Sequence, residues 1–70
     1  MVTMTEKQEK IYNAIKSFIA EFGYSPTVRE IGEIVNLKSP SSVFEYLLAL
    51  EENGYITQIR GKSRTIRIVK

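Results

Sequence analysis

Only four residues, Asn36 to Ser39, stand between two segments that both carry helix signals. So short a connection lets the second helix do little except turn back across the first. The upstream segment opens at Thr27, three residues before Glu30, a spacing in which each side chain can accept a hydrogen bond from the other's free backbone amide. Val28, Ile31, Ile34 and Val35 give it an apolar face over barely two turns. Asn36 tolerates the left-handed conformation that ends such a helix, and Leu37 can then turn back into the core. The downstream segment has Ser39 as N-cap and Pro40 at the first helical position, where a missing amide hydrogen is no loss. It runs to Asn53 with Gly54 as its stop, and Val43, Leu47 and Leu50, joined by Tyr46, face inward. Gly32, inside the first of the two helices, costs about 1 kcal/mol relative to alanine, so the spacing predicts a helix crossing there with little room.

A longer helix precedes this pair. Thr5 and Gln8 repeat the capping spacing, and Ile11, Ala14, Ile15, Phe18, Ile19 and Phe22 recur at intervals of three and four up to a glycine stop at Gly23. Tyr24, Ser25 and Pro26 form the connector, since proline disfavours helix at the residue before it. After Gly54, two short alternating segments, Ile56 to Arg60 and Thr65 to Val69, flank Gly61, Lys62, Ser63 and Arg64 and predict a hairpin with a basic tip. Seventy residues support one hydrophobic core, so residues 1–70 are expected to form a single domain.

Composition removes most catalytic chemistry. The chain has no cysteine and no histidine, hence no disulfide, thiolate nucleophile or imidazole base and none of the usual zinc ligand sets. No cofactor, metal site or catalytic residue is expected, and the carboxylates Glu51 and Glu52 read as helix-surface charge. No apolar run approaches the roughly eighteen residues of a membrane span, and the N-terminus lacks the apolar core of a signal peptide, so a cytoplasmic protein without membrane contact is expected. The charge is unevenly placed. Through Tyr55 five basic residues, Lys7, Lys10, Lys16, Arg29 and Lys38, face eight acidic ones, whereas Arg60, Lys62, Arg64, Arg67 and Lys70 follow with no acid among them. Clustered cations of this kind suit a polyanion, from which they displace condensed counterions; an aggregation-resistant strand edge is the competing explanation.

A helix, a short helix, a tight turn, a longer helix and a hairpin, in that order, describe a winged helix-turn-helix: mainly α, with three helices and a two-stranded antiparallel wing. In that arrangement the third helix lies in the major groove of DNA and its outward first turns meet base edges. The candidate readers are Ser39, Ser41, Ser42, Phe44 and Glu45, with Leu48 beyond them. Each has a structural alternative. Ser39 is first of all a cap, whose hydroxyl is expected on a backbone amide. Ser41 and Ser42 either meet the groove floor or merely fill the first turn, and Glu45 either accepts from a cytosine amino group or is a solvated carboxylate. Phe44 and Leu48 lie away from the inward stripe, where they can touch thymine methyl groups, while Phe44 can also fold back over the connector. Backbone contacts fall to Lys7, Arg29 and Lys38, while Arg60, Lys62 and Arg64 on the hairpin either reach phosphates or enter a narrow minor groove, with Arg67 left as charge on an exposed strand face.

The residues also carry a family resemblance over nearly the whole chain. The stretch Y-S-P-T-V-R-E-I-G-E-I-V-N-L-K-S-P-S-S-V-F-E-Y-L-L-A-L-E-E-N-G from Tyr24 to Gly54, with T-E-K-Q at Thr5 to Gln8 and S-R-T-I-R-I-V at Ser63 to Val69, resembles the N-terminal DNA-binding domain of LexA repressors. Its most specific parts are P-T-V-R-E-I-G and S-P-S-S-V. The resemblance implies base reading by Ser39, Ser41, Ser42, Phe44 and Glu45 and backbone contacts from Thr5, Lys7, Arg29, Ser63 and Arg64. Phe44 and Leu48 stand where family members commonly carry polar or small residues, so the operator sequence does not transfer. LexA-like repressors add a second domain whose Ser-Lys pair cleaves a linker after DNA damage and which dimerises the protein. No counterpart of it lies within these 70 residues, and the chain is expected to be either an excised domain or a free-standing relative.

The expectation is thus a sequence-specific binder of double-stranded DNA, reading one half-site of a palindromic operator for a repressor of the SOS, DNA-damage type. It is expected to be bacterial in type and associated with the nucleoid. Homodimers are expected only on DNA or through the second domain. The alternatives are a free-standing small regulator and a winged-helix protein-interaction module presenting Phe44 and Leu48 as an exposed apolar pair.

Overall fold

A computed structural model describes residues 4–69, so Lys70 of the basic tail lies outside the described residues. Three helices, α1 (Glu6–Phe22), α2 (Val28–Val35) and α3 (Pro40–Glu52), precede two strands, β1 (Ile56–Thr57) and β2 (Arg67–Ile68), the winged helix-turn-helix order. Local chemistry explains where the helices start. The Gln8 amide donates to Thr5 Oγ1 at 3.2 Å while the Thr5 amide donates to Gln8 Oε1 at 3.1 Å. Thr27 and Glu30 form the same reciprocal pair at 3.1 and 2.9 Å. Each box satisfies two of the amides that a helix N-terminus leaves over.

The ends are equally local. Gly23 and Asn36 take left-handed conformations at φ 79° and 64°, and the amide of each donates to the carbonyl four residues before it. α3 closes with Gly54 at φ 79°, its amide on the Glu51 carbonyl and the Tyr55 amide on the Leu50 carbonyl, both at 3.0 Å. This paired closure is the Schellman arrangement, in which the glycine sits just past the capping residue, here Asn53. The helix therefore ends one residue before the predicted Asn53.

All three helices pack on one another, and β1 packs on α3. Ile11 and Ile15 of α1, Ile31 and Val35 of α2, Val43, Leu47 and Leu50 of α3, and Ile56 and Ile66 at the wing form one buried cluster. Burying such side chains contributes about 1.5 to 3 kcal/mol each, which makes the three-way helix contact the main source of stability. Tyr12 meets Tyr55 edge-on, ring centroids 5.5 Å apart, and joins α1 to the start of the wing. Gly32 is buried where α3 crosses: a Cβ there would stand 3.0 Å from the Leu37 carbonyl oxygen and 3.4 Å from Val43 Cγ2.

Four expectations need correction. Phe22 and Ile34, assigned to inward faces, are 50% and 52% exposed, because α2 is too short to cover the last turn of α1 and buries only its Ile31 and Val35 side. Leu48 is half-buried rather than exposed. Ser39 occupies the N-cap position but its side chain makes no capping hydrogen bond. The strands are two residues each, shorter than predicted, in the register Ile56 to Ile68 and Thr57 to Arg67. The reason is Thr65, whose hydroxyl takes over the hairpin's polar pairing: it accepts from the Ile59 amide at 2.9 Å and lies 3.2 Å from the carbonyls of Ile59 and Lys62.

No helix among the described residues is long and apolar enough to cross a membrane.

Candidate nucleic-acid interface

The first turn of α3 projects outward. Ser39, Pro40, Ser41, Phe44 and Glu45 are exposed, Ser42 is half-buried, and Val43 between them is buried against α2. A buried Val43 followed four residues on by buried Leu47 anchors the helix by one face and leaves the serines on the other. α1 and α2 close their N-termini with side chains, whereas α3 begins with proline and an unused Ser39 hydroxyl. Its first-turn amides and hydroxyls therefore keep donor capacity on the outer surface, next to the positive end of the helix dipole.

The wing meets α3 at Phe44, just after this turn. Phe44, Arg29 and the segment from Gln58 to Ile66 line one open depression with Pro26, Thr27 and Val28 at the start of α2. Arg60 spans it: its guanidinium lies over the Phe44 ring, 5.9 Å from the centroid, and 3.8 Å from the Glu51 carboxylate. Lys62 and Ser63 are exposed at the tip, where Gly61 takes φ 81° and the Lys62 amide bonds the Ile59 carbonyl at 3.3 Å. Arg29 is exposed on the second residue of α2. Hence Arg29, Phe44, Arg60, Lys62, Ser63 and Arg64 come together around one concavity.

The remaining candidates are dispersed. Lys38 is exposed beside Arg29 and Pro40, around a separate hollow of the helix-turn-helix. Lys7 is exposed on the first turn of α1, and the Thr5 hydroxyl oxygen before it accepts the Gln8 amide in the capping box. Arg67 is exposed on β2.

Arg64 behaves unlike the other basic residues. One of its nitrogens donates to the Ser25 carbonyl and to Glu30 Oε1, both at 3.0 Å, and the other donates to Glu30 Oε2 at 3.2 Å. The guanidinium also lies 4.9 Å from the Tyr24 ring centroid. Its backbone adopts φ 58°, a left-handed conformation uncommon outside glycine, asparagine and aspartate. The Thr27 backbone amide first, and then the Arg64 guanidinium, hold the Glu30 carboxyl below its ordinary value of 4.5. Hydrogen bonds made to the charged form have that effect.

Sequence reasoning did not single out Tyr24, Ser25, Glu30 or Gln58 for this region. Ser25 is 7% exposed, and its hydroxyl accepts from the Ile66 amide at 3.1 Å while donating to the Pro26 carbonyl at 2.9 Å. Nothing local marks that pairing, which joins residues 41 apart. Gln58 had a usable signal: two residues after buried Ile56, strand alternation directs it to the same face. Its amide nitrogen is buried without a hydrogen-bond partner at the depression. Among the described residues no group of three or more acidic, cysteine or histidine side chains could hold a metal ion.

Comparison with known proteins adds to this geometry. A family model described as the LexA DNA binding domain matches residues 1–65. The chain is 46% identical over 67 residues to a LexA repressor of Bifidobacterium adolescentis, covering 96% of this chain and 26% of that protein. It is 49% identical over 69 residues to a LexA repressor of Staphylococcus aureus strain USA300, covering 99% of this chain and 33% of the relative. The chain thus spans a third or less of the length of these relatives.

Proposed function

The chain belongs to the LexA DNA-binding domain family, and from that premise we propose that it reads double-stranded DNA for a transcriptional repressor of the DNA-damage type. The carrying observation is that the outer face of α3, which exposes Ser39 and Ser41, meets the basic wing at Phe44, where the Arg60 guanidinium lies over the ring. In this proposal Ser39, Ser41, Ser42 and Glu45 meet base edges in the major groove, with Phe44 against thymine methyl groups. Ser39 is a better reader than its capping position suggested, since no backbone amide occupies its hydroxyl. Lys7, Arg29, Lys38, Arg60, Lys62 and Ser63 hold the phosphates and so set register. Thr5 sits at the same end of α1 as Lys7; its hydroxyl oxygen accepts the Gln8 amide, which leaves the O–H to donate to a phosphate.

One copy covers a half-site, and two copies on a palindrome bind more tightly than one, brought together by the duplex or by a further domain of the whole protein. The described residues bind and do not catalyse. The interaction-module alternative loses the feature that favoured it: Leu48 is half-buried and Arg60 lies over Phe44, so the two form no exposed apolar pair.

A titration of the protein with a duplex selected from random sequence, against unselected duplex and over a range of salt, tests this reading. Selected DNA is expected to bind at least about a thousandfold more tightly at physiological salt. Lys62→Ala should lower the slope of log affinity against log salt by about one for a single lost phosphate contact. Equal affinity for both duplexes would remove the claim of sequence reading.

A further inference from the structure

Arg64 lies in the basic segment of the wing, and groups far from it in the sequence hold its guanidinium. Its guanidinium fork grips both oxygens of Glu30, bonds the Ser25 carbonyl and lies against the Tyr24 ring. Glu30 is already tied down, because its Oε1 accepts the Thr27 amide in the box that starts α2. The wing is therefore fastened, through one residue, to the carboxylate that begins the helix-turn-helix. A second fastening lies alongside, where the Ile66 amide donates to the buried Ser25 hydroxyl. Bidentate arginine–carboxylate pairs fix relative orientation as well as distance, which a lysine in the same place would not do.

We infer that Arg64 is a positioning residue: with Glu30 it latches the wing at the angle from which Arg60, Lys62 and Ser63 meet the same duplex as α3. This rests on the DNA-reading function proposed above. An exposed ion pair by itself contributes little to stability, so the latch acts on geometry more than on folding. Its left-handed backbone fits such a role, since strained conformations persist where surrounding contacts over-determine them.

The sign of one substitution separates the latch from a direct phosphate contact. Glu30→Gln removes a negative charge from a DNA-binding surface, which by charge alone should tighten binding to any duplex. The latch requires the opposite. Glu30→Gln and Arg64→Gln are each expected to weaken binding to a selected duplex about tenfold, and the double variant should be no worse than Arg64→Gln alone. Arg64→Lys, which keeps the charge but not the fork, should behave as Arg64→Gln. A readout free of DNA accompanies these. The natural chain has no cysteine, so spin labels placed by Ala20→Cys on α1 and Lys62→Cys at the wing tip report the wing's position alone. Their distance distribution should be narrow in the otherwise unchanged protein and broadened by Glu30→Gln, Arg64→Gln and Arg64→Lys alike. An unaltered distribution, or Glu30→Gln binding as tightly as the unsubstituted protein while Arg64→Gln lowers the salt slope by about one, would overturn the inference. If the unsubstituted protein shows no sequence preference, the DNA-reading proposal fails instead, and the label distances still decide the latch.

Discussion

The guanidinium of Arg60 lies over the ring of Phe44, 5.9 Å from its centroid, and so connects the wing directly to the outer face of the helix that presents the serines. Phe44 is 40% exposed and is not part of the buried cluster. Such a pair contributes about 0.5 to 1 kcal/mol at a solvated site, enough to bias where a long side chain rests. Phe44→Ala is therefore expected to cost only about 1 kcal/mol of stability in chemical denaturation. In a fluorescence titration it should reduce the preference for a selected duplex over random DNA by about tenfold, the equivalent of about 1.4 kcal/mol. An unchanged preference would show that neither Phe44 nor the Arg60 position it supports takes part in reading.

Ser25 holds the wing from below. Ser25→Ala strips the Ile66 amide of its acceptor in a buried setting, and an unsatisfied buried amide costs about 1 to 3 kcal/mol. A loss in that range is expected in urea denaturation. Amide hydrogen exchange at Ile66 should accelerate by more than exchange in the centre of α1.

Gly32→Ala sets two effects against each other. Alanine gains about 1 kcal/mol of helix propensity, but its Cβ would stand 3.0 Å from the Leu37 carbonyl. That carbonyl cannot swing away freely, because the Leu37 amide is tied to the Gly32 carbonyl at 2.8 Å and the turn has few residues in which to absorb a shift. Overpacking of this kind costs about 1 to 3 kcal/mol, so the expected net result is destabilisation, read as a lower denaturation midpoint.

The Glu30 carboxyl titrates below its ordinary value of 4.5, chiefly through the Thr27 amide and next through Arg64. Because its folded value lies under its unfolded one, its contribution is fully present above 4.5 and disappears as pH falls through the lower, folded value. Acidification across that window should lower the melting temperature of the natural protein more steeply than that of Glu30→Gln, which has no carboxyl to protonate at that position. Parallel pH profiles for the two would contradict the assignment.

The legible part of this molecule is the part made by neighbours. Thr5 with Gln8, Thr27 with Glu30, and Asn36 and Gly54 at helix ends act over three to six residues, so the three helices and their order could be read from residue types and spacing. The exposure of Ser39 and Ser41 followed from the inward period of Val43, Leu47 and Leu50. Gly32 announced a close crossing for the same reason, a local cost that only packing could justify.

What spacing could not supply were bonds between distant residues competing for the same groups. Spacing offered Arg64 only as a phosphate-seeking cation, whereas folding brings it to Glu30, 34 positions away, where the carboxylate and the Ser25 carbonyl engage three of its five N–H donors. Ser39 read as a cap because its type favours capping, but a hydroxyl's partner depends on the approach of the chain, and here it makes no capping bond. Thr65 shortened two plausible strands by substituting its side chain for the ladder. Helix identity is a matter of short-range hydrogen bonding and apolar period, which a chain carries along its length. The setting of the wing depends on which long side chains meet across the fold, and that exists only once the core has closed.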